Sequence, residues 1–273
     1  MGSGIAQVCA TYGANLKLYD VSAEALEKAR ASIEKSLGKL AEKGKISASP
    51  SEVLSRISLV KDLKDFSEVG LAIEAATENL SLKEKIFSDL DRILDSKSIL
   101  ATNTSSISIT RLAAKTIRPE KVVGLHFMNP VPIMKLVELI SGQRTSRETL
   151  KAVEDLVRSM DKIEIHSKDY PGFIVNRILM PMINEACFAL FEGVGTAADI
   201  DQGMKLGTNH PMGPLELADF IGLDTCLAIM EVLYQGFGDS KYRACPLLRN
   251  LVEAGCLGRK SGRGFYDYSG GKA

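Results

Sequence analysis

Charge of neither sign is in excess: 34 Lys and Arg stand against 34 Asp and Glu. No overall field therefore draws the chain toward nucleic acid or an anionic membrane surface, and an anionic ligand must be met by a local patch. There is no long uncharged apolar run, so no membrane span is expected, and no stretch reads as a secretory signal. Cysteine has no pattern. Cys9, Cys187, Cys226, Cys245 and Cys256 are an odd number with neither CxxC nor Cys/His ligand spacing, which argues against a disulfide framework or a zinc site. No metal site is expected. Small buried apolar thiols in a protein of the reducing cytosol are the reading that remains.

At 273 residues the chain can hold one large domain or two modest ones, each with its own core. Residues 4–12 read as a helix ended by Gly13, and 16–20 as a short apolar strand closing on an acid. Together they are the second half of a βαβ unit. Ser22 stands where a cap belongs, ahead of Ala25, Leu26, Ala29, Ile33, Leu37 and Leu40 at helical spacing. That helix leaves Lys28, Lys35, Lys39 and Lys43 to solvent as a basic stripe. Strands are expected over 57–60, 71–75, 98–102, 122–127, 136–140 and 162–166, with helix such as 82–93 between several of them. The alternation predicts a mainly parallel, doubly wound sheet. Pro171-Gly172 then marks a break, and the pattern turns helical, with helices over 174–191, interrupted locally at Pro181, and over 214–234. The expected architecture is an α/β, Rossmann-like doubly wound domain over 1–170, followed by an all-helical domain over 171–273. So much apolar helical surface points to packing against a second subunit as well as the first domain.

In dinucleotide-binding folds the glycines occupy the first strand-to-helix turn, where a side chain would obstruct the pyrophosphate. Gly2 and Gly4 open the first helix here, though a flexible terminus accounts for them equally. Asp20 closes the following strand, where a carboxylate can accept from both ribose hydroxyls of an adenosine and repel the extra phosphate of NADP. It could instead cap the next helix. His126 falls near the C-terminal end of a strand, where open α/β sheets bind ligands. Glu138 lies twelve residues on, an even spacing that lets one strand residue face another. An imidazole, with an unperturbed pKa of about 6.5, both takes and returns a proton near neutrality. A carboxylate on its other nitrogen would fix the tautomer and stabilise the imidazolium. A satisfied core histidine is the competing reading.

Met1 to Gln7 (MGSGIAQ) resembles the later part of the GxGxMGxGIA signature of the 3-hydroxyacyl-CoA dehydrogenase family, with Gly2 as the third glycine. The segments ATNTSS (101–106), GLHFMNP (124–130), KLVELI (135–140), PGFIVNR (171–177) and HPMGPLE (210–216) resemble successive family signatures, in family order, over nearly the whole chain. Family members begin with roughly ten further residues that form the central first strand and the first two glycines. Without them the chain as given is expected to lack that strand and to bind NAD poorly.

The resemblance implies an NAD-dependent enzyme that interconverts short-chain (S)-3-hydroxyacyl-CoA, of the hydroxybutyryl type, and 3-ketoacyl-CoA. It implies His126 as the general base in oxidation and general acid in reduction, with Glu138 orienting it. Ser105 and Asn176 would hydrogen-bond the substrate oxygens. On the cofactor side it implies Gly2 and Asp20, Glu78 and Lys83 near the nicotinamide-side ribose, Asn103, Ser105 and Asn129 around the nicotinamide, and Lys260. Ser36 and Lys43, with Lys39 beside them, would meet the phosphates of the CoA. A homodimer through the helical domain is likewise implied. The bland alternatives stay open: Ser105 satisfying loop backbone, Asn176 capping a helix, the lysines merely solvated. A related sugar-acid dehydrogenase, or a structural protein that keeps the fold, are the competing functions.

Overall fold

A computed structural model describes residues 1–270. The chain divides into two compact units, Met1–Tyr170 and the remainder from Pro171.

The first unit opens on α1 (Gly2–Thr11). Its apolar residues serve two sides at once. Ile5 and Val8 pack on the sheet, while Ala6 and Ala10 meet Ile33, Leu37, Val53 and Ile57. After β1 (Leu16–Tyr19), the Ser22 hydroxyl accepts from the Ala25 amide and starts α2 (Ala23–Glu42). Ser49 does the same for α3 (Pro50–Ser55), which leads into β2 (Ile57–Val60). Next come β3 (Leu71–Glu74), α4 (Leu80–Ile93), capped by Asn79, and β4 (Ile99–Thr102). Then follow α5 (Ile109–Ala113), β5 (Val122–Phe127), β6 (Leu136–Ser141), α6 (Arg147–Ser159) and β7 (Ile163–Lys168).

The strands form two ladders: β1 beside β2, and β3-β4-β5-β6-β7 in that order. Among the described residues no ladder joins β1 to β3. Every pairing is parallel except β5 with β6, which run antiparallel. Strand β5 is buried along its whole length, as expected of a strand covered on both faces. Its Val123, Leu125 and Phe127 pack with Val153, Val157 and Met160 from α6 and its end. Gly124 and His126 take the opposite face, paired across the ladder with Ile140 and Glu138. This is the mixed α/β, Rossmann-like sheet the alternation predicts.

The second unit is helical: α7 (Val175–Phe191), α8 (Ala197–Gly207), α9 (Pro214–Ile221), α10 (Leu223–Phe237) and α11 (Pro246–Glu253). Met180, Ile183, Cys187, Leu215, Cys226 and Leu233 are central to its core. Two buried carboxylates tie the C-terminal segment to the helices. Asp219 accepts from the Phe265 and Tyr266 amides and the Tyr268 hydroxyl, each at 3.0 Å. Asp201 accepts from the Leu215 and Glu216 amides and from the Tyr266 hydroxyl at 2.7 Å. Cys187, Cys226 and Cys245 are interior apolar groups while Cys9 and Cys256 are half-buried, and burial pushes Cys226 up to about 12 and Cys9 to about 11.

Several boundaries differ from the expected ones by a few residues, and three departures have a plain physical reason. Helix α1 begins at Gly2, because a glycine costs a helix little in its first turn. Helix α7 runs through Pro181 without interruption; the flanking Met180 and Ile183 are buried in the core and hold it. The stretch 214–234 is two helices and not one, because Gly222 adopts φ +103°, a backbone no right-handed helix contains.

A Cβ on Gly124 would lie 2.8 Å from Ile140 Cβ and 2.9 Å from Ile109 Cδ1. Gly124→Ala should therefore destabilise the protein by about 1–3 kcal/mol through overpacking beneath the His126 strand. Urea unfolding monitored by circular dichroism checks this, and an unchanged midpoint would show that α5 yields freely.

Candidate active site

The reversal between β5 and β6 sets His126 directly opposite Glu138, with imidazole Nδ1 2.7 Å from carboxylate Oε2. The pair is interior: His126 is 8% exposed and Glu138 not at all. An ionised carboxylate removed from water needs a charged or hydrogen-bonding partner at close range, and the imidazole provides it. The competing reading of His126 as a core histidine is not separate from this, since burial is what makes the pair strong.

Beside it, the loop after β4 is organised by one carboxylate. Glu78 Oε1 accepts from the Thr104 hydroxyl, the Ser105 and Ser106 amides at 3.1 and 3.0 Å, and the Ser106 hydroxyl at 2.7 Å. The Ser105 hydroxyl reaches the same oxygen at 3.4 Å. Burial works to raise the Glu78 carboxyl, but the Thr104 and Ser106 hydroxyls, the Lys83 charge and the Ser105 amide outweigh it and hold the group below its ordinary value. Asn103 ties the strand ends together, donating its amide to the Glu74 carbonyl and accepting from the Phe127 amide at 2.9 Å.

Lys83 sits behind this loop and is not displayed at its surface. It is 1% exposed, and its ammonium donates to Glu74 Oε1 at 2.7 Å and the Ala76 carbonyl at 3.0 Å, with Glu78 Oε2 at 3.5 Å. Glu74 also accepts from the Thr102 hydroxyl. Glu74 and Thr102 escape the sequence reading. The signal for Glu74 is the one that marks Asp20, an acid closing an apolar strand, but nothing distinguishes an inward from an outward acid there.

On the α1 side, Asp20 is exposed at the end of β1. Its Oδ1 accepts from the Ser22 amide at 2.9 Å, while Ser22, not Asp20, caps α2. Its second oxygen has no protein donor among the described residues. Gly4 lies where a Cβ would stand 3.1 Å from Val131, so the chain after β5 approaches the start of α1 closely. Lys162 pins that chain: its buried ammonium donates to the Val131 and Met134 carbonyls at 2.8 and 2.7 Å, and burial pushes its pKa down. No sequence signal marks Lys162. A cavity of about 170 Å³ lies between α1, α2 and this segment, with Ser36 and exposed Asn129 in its lining. A groove of about 350 Å³ adjoins it, floored by Leu40, Pro132 and Ile133 and edged by Ser36, Lys39 and Lys43. Lys39 and Lys43 have no carboxylate partner among the described residues.

In the second unit Asn176 lies in the first turn of α7, half-buried, and makes no capping hydrogen bond. Lys260 is exposed and pairs with Asp224 at the start of α10. Among the described residues no cluster of ligands could hold a metal ion, and no helix is long and apolar enough to cross a membrane.

A doubly wound sheet, a glycine-led first helix, an acid closing β1 and a buried histidine–carboxylate pair at the carboxyl end of β5 define an NAD-dependent dehydrogenase. Residues 1–170 match the family model described as 3-hydroxyacyl-CoA dehydrogenase, NAD binding domain, and residues 172–268 the corresponding C-terminal domain. The chain belongs to the 3-hydroxyacyl-CoA dehydrogenase family. It is 55% identical to a probable 3-hydroxybutyryl-CoA dehydrogenase of Bacillus subtilis over 98% of this chain and 94% of that one. It is 54% identical to a 3-hydroxybutyryl-CoA dehydrogenase of Bradyrhizobium diazoefficiens, covering 100% of this chain and 93% of that one. The crystal structure of (S)-3-hydroxybutyryl-CoA dehydrogenase from Ralstonia eutropha is similar throughout, with a TM-score of 0.96 at 52% identity, covering 98% of this chain and 95% of that one.

Because Glu78 titrates below its ordinary value of 4.5 in the folded protein, the stability it contributes is complete above that value and is lost as pH falls through the folded pKa. Glu78→Gln should lower Tm at neutral pH, and the gap from wild type should close on acidification below 4.5. Calorimetric melting across that range reads it; a gap that widens toward acid would contradict the assigned network.

Proposed function

We propose that the chain interconverts (S)-3-hydroxybutyryl-CoA and acetoacetyl-CoA with NAD(H). The observation that carries this reading is the buried contact of His126 with Glu138, and the names of the similar proteins supply the substrate. Bound NAD supplies the hydride acceptor for substrate C3. Glu138 holds Nδ1, so Nε2 of His126 is the atom that takes the C3 hydroxyl proton. In reduction, negative charge builds on the C3 oxygen and the imidazolium returns the proton there. Ser105 and Asn176 donate hydrogen bonds to the substrate oxygens. Proton transfer of this kind is worth about 10²- to 10⁴-fold and one oriented donor about 10²- to 10³-fold.

Gly2 and Asp20 serve the adenosine half of NAD, and Glu78, Asn103, Ser105 and Asn129 the nicotinamide half. Lys83 supplies positive charge behind Glu78, and Lys260 is a further residue assigned to the cofactor. The groove between α2 and residues 130–133 receives CoA. Its apolar floor suits the body of the nucleotide, and Ser36, Lys39 and Lys43 suit its phosphates. In this reading residues 1–170 bind NAD, and residues 171–273 bind substrate and form a homodimer. The exposed Ile178, Phe191, Leu206 and Phe220 support that interface, being more apolar surface than a monomer helix needs. Five free thiols fit the cytoplasm.

Oxidation of NADH by acetoacetyl-CoA, followed at the nicotinamide absorbance, tests the activity; oxidation of sugar acids instead would overturn it. His126→Ala should lower kcat by about 10²- to 10⁴-fold with a much smaller change in KM. Glu138→Gln should keep the fold and lower kcat. Lys43→Glu should raise KM for acetoacetyl-CoA and spare that for NADH; equal effects on both would move CoA elsewhere.

A further inference from the structure

We propose that Glu74 is the positioning residue of the cofactor-side loop, and that it acts by keeping the Lys83 ammonium from claiming Glu78. The inference rests on the reading that Glu78, Asn103 and Ser105 serve NAD.

Glu74 ends β3 and is 5% exposed. Its two oxygens tie together three elements. Oε2 accepts from the Thr102 hydroxyl at 2.7 Å, fixing the end of β4 immediately before Asn103. Oε1 accepts from the Ala76 amide at 2.6 Å and from Lys83 of α4 at 2.7 Å. Lys83 thus has two carboxylates within reach, the near one on Glu74 and the farther on Glu78 at 3.5 Å. A buried ammonium deprived of its partner is strongly destabilising and takes the nearest remaining anion. That anion is the carboxylate whose other oxygen collects the donors of Thr104, Ser105 and Ser106.

Two demands therefore compete for Glu78. One is the loop, whose donors it must hold; the other is the ammonium behind it. With the Glu74 carboxylate in place, Lys83 is satisfied and Glu78 stays on the loop. With that carboxylate replaced by an amide, Lys83 pulls Glu78 inward, and Ser105 and the ribose-side carboxylate lose their places together. Glu74 does not reach the loop through its own side chain; it works through Lys83 and Thr102.

The test compares full-length wild type, Glu74→Gln and Glu74→Gln/Lys83→Met. NADH binding is measured by fluorescence titration without substrate, and kcat and KM for each substrate by steady-state assay. Glu74→Gln should weaken NADH binding by about tenfold and, because Ser105 also serves the substrate, lower kcat with acetoacetyl-CoA, as expected when a buried charge is stranded behind the loop that carries Ser105. The double variant, with no stranded ammonium, should bind NADH more tightly than Glu74→Gln, though less tightly than wild type because the charge behind Glu78 is gone. Unchanged NADH affinity in a folded Glu74→Gln overturns the proposal, as does a double variant no better than the single, which would place Lys83 on the cofactor directly. If Glu74→Gln does not fold, Glu74→Asp decides: it keeps the charge and should hold NADH within about threefold of wild type, and a tenfold or larger loss overturns the idea. Wild type that binds NADH yet leaves acetoacetyl-CoA untouched would instead overturn the functional reading.

Discussion

A carboxylate with no exposed surface, Glu138, faces an imidazole across the one antiparallel step in a sheet of otherwise parallel strands. In low dielectric the carboxylate cannot be left alone, and removing one member of a buried pair typically costs about 3–5 kcal/mol. The register of β5 against β6 is fixed by that demand as much as by backbone bonds, since a slip of one residue would turn one of the two groups to the other face and part the pair. Gly124 follows from the same register. It shares the His126 face and stands opposite Ile140 with Ile109 above it, leaving no room for a Cβ.

The strand–helix alternation, the Ser22 cap and the acid ending β1 are all legible in the sequence, because each depends on local spacing or on one residue's preference. The His126–Glu138 contact is half legible: an even separation permits it, but only the reversal into β6 makes it. What the sequence conceals is direction. Lys83 and Lys39 are both lysines on helices, yet one is interior with two carboxylates and the other edges an open groove. Helical periodicity places Lys83 on a face without saying that the end of β3 brings Glu74 under it. The break at Gly222 is hidden for a related reason, since an apolar run reads the same whether its glycine is helical or at positive φ.

A neutral chain meets anions through local placement of charge. Lys39 and Lys43 stand at a groove edge with no counterion among the described residues, so their charge faces outward, whereas that of Lys83 and Lys162 faces inward. The two buried lysines differ in turn. Lys83 donates to a carboxylate; Lys162 donates to the Val131 and Met134 carbonyls, and burial lowers its pKa. It holds the segment whose Pro130 and Pro132 line both the α1 cavity and the lysine-edged groove, so one interior ammonium sets a wall common to both.

The segment that carries Ser105 is held at both ends by single anions. Glu78 gathers the donors of residues 104–106, and Asp169, at the end of the first unit, gathers the Ile109 and Thr110 amides and the Ser108 hydroxyl at 2.7–2.9 Å. Neither carboxylate comes from the segment it holds. Irregular backbone of this kind has no ladder to satisfy its amides, and charge-assisted bonds from rigid neighbours take the ladder's place. Residues 104–110, the last two of them in the first turn of α5, are thereby suspended between Glu78, just ahead of α4, and Asp169, just after β7. The position of Ser105 is therefore set from outside its own loop, by groups anchored to helix and sheet.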